Sequence, residues 1–226
     1  MREFLITICP YAIWGIAAAE ALIAILLLRL KKKPIVICSA LVTFGLILDA
    51  VIIGLGAFLP ESVLAAISPV RFVAHGILIP LLFPICGYAL NLKKPVMIGV
   101  WVFTILLMIA GAAEGIATVL EPKSIAGVVR YASSSSTPGW ADMISRVLSF
   151  GTVIPMMIAG IIVWAKQKTP HLFLSGFFMF AFSALGPATG NSDLIFLISA
   201  FGELLMIFFF LLHGLRSREM KSPLRG

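Results

Sequence analysis

Seven apolar runs, each long enough to cross a bilayer, leave this chain almost no room for anything else. A spanning helix needs about 20 predominantly apolar residues, and residues 4–28, 34–59, 69–90, 95–120, 144–165, 170–185 and 193–215 supply seven such stretches. Only 12% of the residues are charged and the mean hydropathy is +1.10, against about 25% charged in soluble domains. No segment has the polar length of a soluble catalytic domain or a nucleotide-binding domain. Strands are excluded too, because spanning strands are about 9–11 residues of alternating polarity and these runs are longer and apolar on all sides. The expected fold is all-α, a single polytopic seven-transmembrane-helix bundle over residues 1–226.

The placement of charge orients the bundle. A net charge of +7 in a soluble chain would point to nucleic acid; here it points to membrane topology, and no nucleic-acid partner is expected. Arg29, Lys31, Lys32 and Lys33 follow the first apolar run, Lys93 and Lys94 the third, Lys166 and Lys168 the fifth, and Arg216, Arg218, Lys221 and Arg225 the seventh. These twelve of the seventeen basic residues fall on one face if all seven runs cross, and the positive-inside rule puts that face in the cytoplasm. The N-terminus is then outside the cell membrane, and residues 216–226 form a short basic cytoplasmic tail. Lys32-Lys33-Pro34, Lys93-Lys94-Pro95 and Lys168-Thr169-Pro170 mark helix starts, since the missing proline N–H would be unpaired in the first turn anyway. Ser68-Pro69 predicts a capped start for the third helix. Cys9, Cys38 and Cys86 lack C-x-x-C spacing and read as small core residues.

One outer connection is long. Residues 121–143 contain Ser133-Ser134-Ser135-Ser136-Thr137-Pro138-Gly139-Trp140, predicting either a lid over an outward cavity or a tether with Trp140 at the membrane interface.

Ionisable groups inside the spans carry the functional information. Each costs about 2.5–3.5 kcal/mol to insert, so such groups face the bundle interior and find partners. Glu20, Asp49, Arg71, His75, Glu114 and Glu203 all lie within predicted spans, with Arg146 near the outer start of the fifth. Ser68, Arg71 and His75 share one helix face. Arg71 suits an anion and pairs with Glu114 or Asp49; His75 is the one side chain type in these spans whose unperturbed pKa lies near neutrality. Arg71, His75, Asp49, Glu114, Glu203 and Glu20 are therefore the candidate ligand-binding set. His171 and His213 lie at cytoplasmic helix ends, and Asp193, after Asn191 and Ser192, suits a first helical turn. The ligand types lack metal-site spacing, so no metal is expected. No cofactor motif is present, and oligomeric state is not encoded in any motif.

Two patterns resemble the microbial rhodopsins. Arg71-Phe72 is followed, nine residues after the arginine, by Pro80-Leu81-Leu82, and Glu203 stands thirteen residues before Arg216-Ser217-Arg218. The resemblance implies that family's seven-helix bundle with an outside N-terminus. The chain departs from it where retinal would attach: Ile207 occupies the position of the Schiff-base lysine, no lysine lies in any predicted span, and Ala74 replaces the usual helix-3 acid. Covalent retinal binding is not expected.

The resulting expectation is an outward-facing intramembrane polar pocket, surrounded by membrane lipids, that binds or transports a small anionic or amphipathic ligand. The rival is an intramembrane lipid-modifying enzyme with Asp49 or Glu203 as base and His75 as acid. A third reading is a structural subunit whose charges pair internally.

Overall fold

The computed structural model describes residues 2–30, 32–190 and 192–219. Lys31, Asn191, Lys221 and Arg225 lie outside the described residues, as do the side chains of Ser192, Asp193 and Arg218. About 81% of the chain is helical, in seven rods among the described residues: α1 Arg2–Arg29, α2 Pro34–Leu55, α3 Glu61–Ala89, α4 Lys94–Ala117, α5 Gly139–Gln167, α6 His171–Ala188 and α7 Ser192–Glu219. Six are long and apolar enough to cross a membrane, which fits a multi-pass membrane protein; α6 is a shorter apolar helix over His171–Leu185. Each rod packs on its neighbours in sequence and α7 closes the ring against α1. Large apolar side chains on the outer faces, such as Ile105, Leu106 and Ile109 of α4, stay exposed, as in a bundle whose solvent is lipid.

The start chemistry is partly as expected. Pro34 opens α2 after Lys33, and Pro95 stands in the first turn of α4. Pro170 instead precedes α6 and its carbonyl accepts the Leu174 N–H at 2.9 Å. The start of α3 departs further from the sequence reading. Ser68 is no cap: the helix begins at Glu61 and runs through Pro69. An internal proline forfeits one backbone bond, a loss that neighbouring helices and local readjustment cover in an apolar bundle. Further along α3, Pro80 tightens the helix into a 3-10 turn at Ile79–Leu81, the usual response to a missing donor.

Residues 120–133 hold a β-hairpin, β1 Leu120–Ile125 paired antiparallel with β2 Val128–Ser133, and α5 already begins at Gly139. The connection expected at residues 121–143 thus contains regular structure, and its last residues belong to α5. Ala126 (φ 46) and Gly127 (φ 79) form a two-residue turn with both φ positive, the geometry that matches strand twist. The turn is apolar and wedged among helices: Ala126 and Val128 are buried with Cys9, Ile13, Ile53 and Phe196. The Val129 N–H donates to Gly56 O at 3.2 Å, and Tyr131 Oη lies 3.4 Å from Glu61 Oε1. The hairpin thus plugs the end of the bundle formed by the start of α1, the end of α2 and the start of α3.

The core is divided by polarity. Leu27, Leu46, Leu82, Ile85, Met156, Leu172, Met206 and Ile207 fill the half away from the hairpin. The half beneath the hairpin holds the charged groups.

Candidate functional site

The site is assembled from six helices and the hairpin. Asp49 stands on α2, nearly two turns before its end, and accepts the Arg71 Nε–H at 2.8 Å. Arg71, only 6% exposed, also donates from Nη1 to the Tyr131 carbonyl at 3.3 Å. This guanidinium therefore ties α2, α3 and β2 together. Between the two partners the sequence left open, Asp49 takes the ion pair, and Glu114 on α4 instead accepts from the Thr118 hydroxyl at 3.2 Å.

Arg130, which sequence reasoning passed over, is the group the hairpin contributes. It follows Val128 on the same face of β2, since side chains alternate along a strand. Its guanidinium carbon lies 4.9 Å from the Phe196 ring centroid, and its buried Nε has no hydrogen-bond partner. Burial, then the like charge of Arg71, lower its affinity for its proton, while Asp49 and Glu203 raise it; an arginine stays charged through such shifts. The available signal was the alternating Val128-Val129-Arg130-Tyr131 run after a tight Ala126-Gly127 turn.

Three cavities meet around these groups. One, of about 200 Å³, is lined by Asp49, Arg71, His75, Glu114, Arg130 and Glu203, with Ser145 and Ser149 from α5. A second, of about 340 Å³, shares His75, Ser149 and Glu203 with it and is otherwise mostly apolar, lined by Leu46, Ile79, Leu82, Val153 and Met206 among others. The third, of about 220 Å³, lies between α1, α2 and α7 and shares Asp49, Arg130 and Glu203 with the first; Glu20 lines it too. Glu203 is common to all three. Glu20 is 1% exposed and its Oε2 has no partner.

The six candidate residues thus gather in one polar region, though Glu20 and Glu114 line different cavities. Ser68 is buried on the Arg71 face but lines none of the three. Arg146 does not join: it is exposed and pairs along α5 with Asp142 at 2.8 Å. His213 belongs to the opposite end, beside Ile35 and Val36 at the start of α2. Among the described residues no three metal-ligating side chains form a group. Asp49, a candidate base, has its carboxylate engaged by Arg71, whereas His75 and Glu203 line two cavities together.

No protein-family model matches the chain, and no curated protein gives a significant sequence match. The functional reading therefore stands on the geometry.

Proposed function

We propose that this protein spans the cell membrane seven times, with the hairpin end and N-terminus outside, and that its polar pocket binds or transports a small anionic or amphipathic ligand. The orientation is supported by Lys33, Lys93, Lys94, Lys166, Lys168 and Arg216, which stand at or near helix starts and ends on the side opposite the hairpin, where the positive-inside rule wants the cytoplasm. With 18 residues rising about 1.5 Å each, α6 reaches about 27 Å, close to the hydrocarbon thickness.

The observation that carries the ligand reading is the convergence of Arg71 and Arg130, from a helix and a hairpin, on one cavity, with Arg130 Nε unpartnered. Arg71 is largely occupied with Asp49 and Tyr131, so Arg130 is the group left to hold an incoming oxyanion. The adjoining apolar cavity accommodates an alkyl portion, and its volume lies within the usual range of about 300–1,000 Å³ for small-molecule sites. His75 and Glu203, at the junction, are placed to exchange protons with a bound group.

Propyl phosphate serves as the probe, with binding measured calorimetrically on protein in lipid nanodiscs. Arg130→Gln is expected to weaken it about 10- to 100-fold, the worth of one or two charge-assisted hydrogen bonds, with unfolding temperature retained. Equal binding by wild type and variant, or no binding by either, refutes the proposal.

A further inference from the structure

The cavity between α1, α2 and α7 has a charge balance that the anion reading leaves unexplained. Its walls carry three carboxylates, Glu20, Asp49 and Glu203, and one basic group, Arg130. Asp49 is answered by Arg71 at 2.8 Å. Within this cavity Glu20 and Glu203 then face Arg130 as the single basic group, and Glu20 is 1% exposed with an unpartnered Oε2. A buried, unpaired carboxylate is among the most expensive groups a protein can hold, and two carboxylates beside one cavity cannot both ionise cheaply without counter-charges.

The remaining space is too large for a cavity meant to stay closed. At about 220 Å³ it exceeds by far the room one water needs. Ile13, Ile16, Ile53 and Phe196 form its other walls, an apolar surround suited to a small organic group. The charged groups facing Glu20 come from every neighbour of α1: Asp49 from α2, Glu203 from α7 and Arg130 from β2.

We infer that this cavity is an ammonium site, in which Glu20 and Glu203 hold a positively charged group of the ligand. The inference rests on the proposed anion site and sharpens it: the two cavities share Asp49, Arg130 and Glu203 as a common wall. A ligand with an anionic and an ammonium group joined by a short linker places one charge on each side of that wall. The class is a zwitterion of the phosphoethanolamine type, free or as a lipid headgroup.

The test compares 2-aminoethyl phosphate with propyl phosphate, which replaces the ammonium by a methyl of similar size, on the full chain in nanodiscs. The aminoethyl compound is expected to bind about tenfold or more tightly, as a charge-assisted contact requires. Glu20→Gln abolishes that advantage, so that the two probes bind alike; Glu20→Asp, which keeps the charge, retains part of the advantage and serves if the amide variant folds poorly. Equal binding of the two probes, as when Glu20 simply carries a proton, overturns the inference, and so does an advantage that survives Glu20→Gln. Ethylammonium separates this reading from the one beneath it: Glu20-dependent binding without any phosphate binding upholds the ammonium site and removes the anion site. Binding of none of the probes removes both. Competition by phosphatidylethanolamine doped into the nanodisc, but not by phosphatidylglycerol, assigns the headgroup as the source; without such competition the free zwitterion is the source.

Discussion

Removing either member of the Arg71–Asp49 pair tests whether the site is a strained cluster or a settled strut. At 2.8 Å and an effective dielectric of about 20, the Coulomb attraction is about 6 kcal/mol before desolvation is subtracted. Arg71 is 6% exposed and Asp49 19%, so neither charge recovers full hydration when its partner is lost. Breaking a buried pair from one side costs about 3–5 kcal/mol. Asp49→Leu belongs at the upper end, because it strands the more buried charge. Arg71→Met belongs nearer about 3 kcal/mol, because Asp49 borders two cavities and Arg130 lies close by, although the Tyr131 carbonyl also loses its donor. The double variant Arg71→Met/Asp49→Leu, with both charges gone, falls within about 1 kcal/mol of wild type. Reversible unfolding by sodium dodecyl sulfate in mixed micelles reads all four corners of the cycle. With singles near about 5 and about 3 kcal/mol and a double within about 1 kcal/mol, the expected coupling is about 7 kcal/mol, well above the roughly 0.6 kcal/mol average for neutral interhelical hydrogen bonds in bilayers. Single variants within about 1 kcal/mol of wild type, or a double variant that costs the sum of the singles, refute the reasoning.

Two further outcomes follow from packing and charge. Gly76 and Gly111 meet backbone to backbone, and a Cβ on Gly111 would stand 2.3 Å from Gly76 O; Gly111→Val should push α3 and α4 apart by about 1 Å and cost at least about 1–3 kcal/mol. Gly99→Ala, where nothing lies within 4 Å, leaves the thermal midpoint unchanged or raises it, and a loss at Gly99 equal to that at Gly111 defeats the packing argument. For topology, Lys123→Cys reacts with a membrane-impermeant maleimide on intact cells and Lys94→Cys only after permeabilisation, against a quiet background because Cys9, Cys38 and Cys86 are buried; the reverse pattern inverts the proposed orientation.

Much of the bundle was legible from one-dimensional information. The apolar runs located every rod to within a few residues at most ends, because the cost of exposing backbone polar groups to lipid is paid locally by helix formation. The exceptions have local causes of their own. Proline reads as a boundary and puts the start of α3 at Pro69, eight residues after the helix begins at Glu61, because an apolar bundle lets a helix pass through it. The hairpin escaped because six-residue strands joined by Ala126-Gly127 carry a weak signal inside a serine-rich connection, and Arg130 escaped with it.

What the chain alone determined is which residues face inward: Glu20, Asp49, Arg71, His75, Glu114 and Glu203 are marked by the expense of charge in hydrocarbon, a property of each residue in its own helix. Which of them meet was decided only in three dimensions. Arg71 reaches Asp49 and not Glu114 because α2 and β2 present acceptors on its side of α3, and Glu20 is left facing a cavity because α1 closes the ring against α7. Those outcomes depend on helix rotation and on ring closure between segments up to two hundred residues apart, information that no local pattern of polarity contains.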